Sequence, residues 1–292
     1  AFLLAENLQA NYIDVMKAAL IPSILYYISL FLFADLEAGR RQIDRVPEHM
    51  IPNLSAVIKR GWFVFVPFAL ILIALFNFNL RPETAALVAV LSFIIISLFL
   101  RYDGSKLDLS LFLKSFISAG KAAVEIILIC AIAGMIIGLV ARSGLSFGLG
   151  FFLVQLGKSS LLLLLIVTAV VCIVMGMGLP TVGVYLLLAS LAAPPLVELG
   201  LNPMAAHLFV LYFGMLSMLT PPVAIAAFVA ANLAKAHAMR TALEAVRIGW
   251  PAYLIPFIFI ATPELLLNGS ITAILVMFIK SLVGVAVITS GI

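Results

Sequence analysis

Apolar runs of about 20 residues, each long enough to cross the roughly 30 Å hydrocarbon core of a bilayer, recur along the whole 292-residue chain. No other feature restricts the fold as strongly. In lipid the backbone must satisfy its own hydrogen bonds, so the runs are helices and the predicted fold class is an all-α polytopic membrane protein. A composition that is 65% hydrophobic and 10% charged excludes the soluble classes. The formal charge of +4 gives no nucleic-acid signal, because the basic residues cluster between apolar runs, where they set topology. Cys130 and Cys172 lie inside apolar runs and read as small hydrophobes, with no disulfide framework or zinc site suggested. The opening AFLLAENLQANYIDVMKAAL has no initiator methionine, basic n-region or cleavage pattern. A start inside a longer protein is therefore expected.

The first span is read at Val15 to Phe33, with Pro22 tolerated as a kink. Residues 35–61 are a polar linker in which Arg40, Arg41, Arg45, Lys59 and Arg60 vote for the cytoplasmic side. Spans at 62–80 and 84–100 follow, joined by Arg81-Pro82-Glu83. Residues 105–118 interleave Leu and Phe with Lys106, Asp108 and Lys114, which suits a short helix along the membrane surface or an ordinary loop. A span at 122–140 leads to FGLGFFLVQLGKSS, an amphipathic piece too short to cross.

Two later apolar stretches are interrupted. GMGLPT, residues 176–181, divides 161–197 into two halves of about 15 residues, each reaching only some 22 Å. That length suits a re-entrant hairpin with its tip inside the membrane. LTPP, residues 219–222, divides 204–234 near its middle, as in a single broken span. The apolar runs Gly249 to Ala261 and Ile271 to Ile288 close the chain.

An ungapped slide of 1–36 against 227–262 matches Phe2 with Phe228, Tyr27 with Tyr253, Phe31 with Phe257 and several alanines, a weak internal repeat. On that reading 1–34 is the tail of a first repeat and 62–262 a complete second one. Repeats with discontinuous helices mark secondary transporters.

Backbone groups freed by a break in lipid need partners, and a bound ion can be one. Gly176 and Gly178 let the chain turn and approach closely, and Pro180 and Thr181 start the next half-helix. In the other break Thr220 offers a hydroxyl, while Pro221 and Pro222 lack donors and leave carbonyls exposed. Two such loops tip to tip would give an oxygen-rich, uncharged site suited to a monovalent cation. The competing reading is that both breaks merely kink their helices. Glu125 follows Lys121 by four residues as a local pair at a span entrance, and Glu198 and His207 flank a turn and are placed at the interface. With no HExxH, no GxSG, no P-loop and no aspartate within a span, catalysis and ATP hydrolysis find no support.

The segment GMGLPTVGVYLLLASLAAPPLVELGLNPMAAHLFVLYFGMLSMLTPPVAIAAFVAANLA resembles the second repeat of the large membrane subunit of tripartite ATP-independent periplasmic (TRAP) transporters, most similarly the fused permeases. The resemblance covers residues 1–262 and implies an inverted-repeat, elevator-type importer of an organic acid anion. It further implies sodium as the coupling ion without any cofactor, a periplasmic substrate-binding protein, a small membrane subunit fused upstream, and an address in the bacterial inner membrane. Carried onto this chain, Gly176, Gly178, Pro180 and Thr181 would form the hairpin tip, and Ser217, Thr220, Pro221 and Pro222 the facing break. Oxygens of Gly178, Thr181 and Thr220 would hold the Na⁺. Residues 62–100 would be scaffold, 105–118 an arm helix, 121–262 the transport-domain helices and 263–292 an extra C-terminal helix. GMGLPT departs from the GMFLDPT style of many large subunits, which bears on which carboxylate is carried. The alternatives are a divalent-anion elevator carrier that needs no binding protein, and a membrane enzyme or assembly subunit.

Overall fold

A computed structural model describes residues 2–47, 50–78, 80–99 and 109–291. Within them every regular element is helical, and no strand occurs among the described residues. The all-α polytopic expectation is borne out. Among the described residues four helical segments are long and apolar enough to cross a membrane: Tyr12–Arg40, Leu54–Phe76, Ala238–Ala261 and Ile271–Gly291. The chain divides into two compact units, residues 1–41 with 127–292, and residues 42–126.

The N-terminal segment holds α1 (Phe2–Asn7) and α2 (Tyr12–Arg40). The Asn11 side chain caps α2 by accepting from the Ile13 N–H at 3.2 Å. This helix outruns the expected span at both ends. Its C-terminal extension into the polar segment is held by Arg41 Nε donating to Glu37 Oε1 at 2.6 Å, a partner one turn away.

In residues 42–126, α3 (Leu54–Gly61) is capped by Asn53 and passes through a 3₁₀ turn into α4 (Phe65–Phe76), along which α5 (Pro82–Phe99) packs. Next in the chain, α6 (Leu109–Ser143) is one unbroken helix of 35 residues. Residues 109–118 are thus its first turns. Lys106, Asp108 and the rest of 100–108 lie outside the described residues, as do the side chains of Glu125 and Cys130.

The remaining helices build the other unit around a common axis. They are α7 (Leu145–Ser159), α8 (Leu161–Gly176), α9 (Thr181–Leu191), α10 (Ala193–Glu198), α11 (Pro203–Leu216), α12 (Ile225–Ala234), α13 (Ala238–Ile248), α14 (Trp250–Ala261) and α15 (Ile271–Gly291). Ser160 caps α8 and Asn202 caps α11, where Pro203 occupies the first turn and loses no helical hydrogen bond. The axis is α11, which packs against α8, α9, α10 and α14. Its Phe209 and Phe213 meet Phe257 of α14 edge-on, with ring centroids 5.4 and 5.5 Å apart. The second arm of the expected hairpin is two helices instead of one. Pro194 and Pro195 supply no N–H to continue α9, so the chain restarts as α10 with both prolines in its first turn.

Candidate functional site

The first break forms where α8 runs out of donors for its last turn. Met177 N–H reaches back to Val174 O and Leu179 N–H to Gly176 O, both at 3.3 Å. Gly178 turns the chain with φ +78°, a left-handed conformation that glycine adopts without a Cβ clash. Pro180 is extended, and Thr181 opens α9 with no side chain capping it. The first N–H groups of α9 therefore lack acceptors within the helix and point their positive end toward the break.

The second break spans residues 217–224 between α11 and α12. Ser217 is 1% exposed, and its hydroxyl donates to Gly214 O at 2.6 Å. Leu216 O accepts both the Thr220 N–H, at 2.9 Å, and the Thr220 hydroxyl, at 2.7 Å. Tyr253 Oη of α14 stands 2.8 Å from the same Thr220 Oγ1. Thr220 has one proton and spends it on Leu216 O, so Tyr253 donates to Thr220 and one threonine lone pair stays open. The break closes when Ala226 N–H bonds Met218 O at 3.0 Å.

The two breaks meet. A Cβ placed on Gly176 would lie 2.7 Å from Gly214 O and 2.8 Å from Ser217 Oγ, inside any tolerable contact. A Cβ on Gly214 would strike Val184 Cγ1 at 2.5 Å and Leu188 Cδ1 at 2.7 Å. Both arms of the hairpin thus press on one turn of α11, α8 through a missing side chain and α9 through two branched ones. Of the residues singled out in sequence, Gly176 and Ser217 are brought together directly, and Thr220, three residues further on, is fixed by Tyr253. Thr181, Pro180 and Pro221 are half-buried, while Gly178 and Pro222 are exposed. Among the described residues no hydrogen bond joins Thr181 or Gly178 to the second break.

His207, in the second turn of α11, is 7% exposed, and its Nδ1 lies 2.9 Å from Tyr185 Oη of α9. Packing of α9 along α11 covers it, whereas Glu198 at the end of α10 stays exposed. Tyr185→Phe should lower stability by about 1–3 kcal/mol, because it leaves a buried ring nitrogen unpartnered. The double change Tyr185→Phe with His207→Leu should cost less than the two single costs added together. Thermal unfolding of the detergent-solubilised protein compares the two.

Helices that stop inside a membrane protein and meet at their ends define the core of a carrier-type permease. At 16 and 11 residues, roughly 24 and 17 Å, neither α8 nor α9 reaches across the hydrocarbon by itself. The chain belongs to the family described as "Tripartite ATP-independent periplasmic transporter, DctM component", whose model matches residues 1–274. It is 22% identical over 248 residues to the C4-dicarboxylate TRAP transporter large permease protein DctM of Pseudomonas aeruginosa, an alignment covering 84% of this chain and 56% of that protein. The chain thus spans about half the length of this relative, and the resemblance carried by GMGLPT and LTPP is borne out.

Sequence reasoning missed Gly214, Tyr253 and the Tyr185–His207 pair. Gly214 carried a signal, since Gly-x-x-Ser just before a break offers two small residues on one helix face. The repeat alignment matches Tyr253 with Tyr27, but nothing in one dimension places it against Thr220, 33 residues earlier.

Proposed function

We propose that this chain forms the translocating part of a TRAP permease that couples sodium entry to import of an organic acid anion. The observation that carries this reading is the pressing of the hairpin tip at Gly176 onto the end of α11 at Gly214 and Ser217. A half-helix C-terminus with its carbonyls and a neighbouring half-helix N-terminus with its free N–H groups offer a cation and a carboxylate adjoining places. In this reading Gly178 O and the hydroxyls of Thr181 and Thr220 ligate Na⁺. Ser217, Pro180, Pro221 and Pro222 shape the loops, and Gly176 sets their distance. The anion is a carboxylate, in keeping with the C4-dicarboxylate named for the Pseudomonas relative. Delivery is by a periplasmic binding protein, with a small membrane subunit as partner in the inner membrane. The α8 to α12 region moves as an elevator.

The test is uptake by the full-length protein in proteoliposomes, with its cognate binding protein and an imposed sodium gradient. Uptake should require both. Transport indifferent to Na⁺, or undiminished without the binding protein, would favour the simpler divalent-anion carrier and sink the proposal.

A further inference from the structure

The only charged residue in α15 is Lys280, the tenth of its 21 residues. At 1.5 Å per residue the helix is about 31 Å long, so Lys280 stands about 14 Å from its N-terminal end, near the middle of the hydrocarbon. A lysine side chain extends roughly 6 Å at ordinary bond lengths, which leaves the ammonium short of either surface. A charge at that depth is expensive and in membrane proteins is paired or faces a protein interior. Lys280 is exposed, and among the described residues it makes no ion pair or hydrogen bond.

The packing of α15 explains the missing partner. Val285 and Thr289 are buried on the side where the helix lies along α2. From Ala18 to Ala34 α2 carries no Asp, Glu, Lys or Arg, so it offers no counter-charge at mid-depth. On the exposed side of the helix Lys280 is flanked by Ile279, Val283 and Val287, each more than half exposed. Gly284, one turn further on, has nothing within 4 Å of a would-be Cβ, which leaves room for a second backbone to approach.

We propose that this outer face of α15 is an intramembrane docking surface for a helix of another membrane subunit that carries an Asp or Glu near its midpoint, opposite Lys280. Charge selects the occupant. A phospholipid keeps its phosphate at the surface, too far away to pair with an ammonium at mid-depth, whereas a helix can set a carboxylate at any level.

The test uses the full-length protein in native membrane vesicles treated with dicyclohexylcarbodiimide. The reagent activates a buried carboxyl group, the Lys280 amine attacks the acyl carbon, and an amide forms as dicyclohexylurea leaves. A photoreactive benzoylphenylalanine placed at Ile279 or Val283 reports the neighbour independently. Mass spectrometry should map both products to one apolar helix of a different subunit, the amide being at an Asp or Glu. Lys280→Met should insert normally and lower recovery of that subunit on gentle solubilisation at least tenfold. Photoproducts with lipid alone overturn the proposal. So does an amide bond to a second copy or to a carboxylate of this chain, Glu125 included.

Discussion

Replacing Gly176 with valine is expected to abolish sodium-driven uptake while leaving the protein in the membrane. The first atom of any side chain there would meet Gly214 O at 2.7 Å, and a backbone oxygen inside a helix cannot step aside as a flexible side chain does. Ser217 Oγ, on the second side, is held by its own bond to Gly214 O. Overpacking of this kind costs about 1–3 kcal/mol, and here it is released by moving the hairpin tip away from α11. Gly176→Ala should therefore already lower transport about tenfold, and valine should remove it. Gly178→Ala is the control from the same loop: nothing lies within 4 Å of the added carbon, and only the φ of +78° opposes it. Its cost should stay near 1 kcal/mol, with most uptake retained. Membrane abundance and a monodisperse detergent extract separate lost function from lost folding. Full uptake by Gly176→Val would mean that the contact between the breaks is incidental.

Thr220→Val should raise the half-saturating sodium concentration at least tenfold, equivalent to about 1.4 kcal/mol of binding. Valine keeps the branched shape and deletes the oxygen that has one lone pair left once Leu216 O and Tyr253 Oη have taken their share. Tyr253→Phe leaves that oxygen in place and bonded to Leu216 O but removes its second anchor, so a smaller rise of roughly threefold is expected. The two changes should be non-additive, since without the threonine hydroxyl the tyrosine has nothing to orient. Sodium titrations of initial uptake rates measure all three variants. Wild-type sodium affinity in Thr220→Val would reduce the second break to a kink.

Much of this site is legible in one dimension, and the reason is lipid. GMGLPT and LTPP stand out because a proline or glycine inside an apolar run frees backbone groups that water cannot serve. Both breaks fall where the sequence places them. Helix ends were less legible: α2 runs on to Arg40 because polar residues with i,i+4 partners are compatible with helix beyond the hydrocarbon. The restart at Ala193 was passed over, because two prolines in a second arm look like mild interruptions until the donors are counted.

Partnerships across the chain were not legible. Nothing in the sequence neighbours of His207 points to Tyr185, against which helix packing buries it. Lys280 is legible as a single charge in an apolar run, but the exposure of its helix face is not.

By itself the sequence determined that this protein is helical, spans the membrane several times and interrupts its helices at two places, because hydropathy and backbone hydrogen bonding act locally. Only the tertiary structure decided that Gly176 faces Gly214 and Ser217, and that Tyr253 steadies Thr220. Those contacts depend on which faces of separate helices meet. Helices of nearly uniform apolarity carry little record of that choice: the packing that makes it is a matter of fit between small and large side chains, and fit belongs to pairs of surfaces.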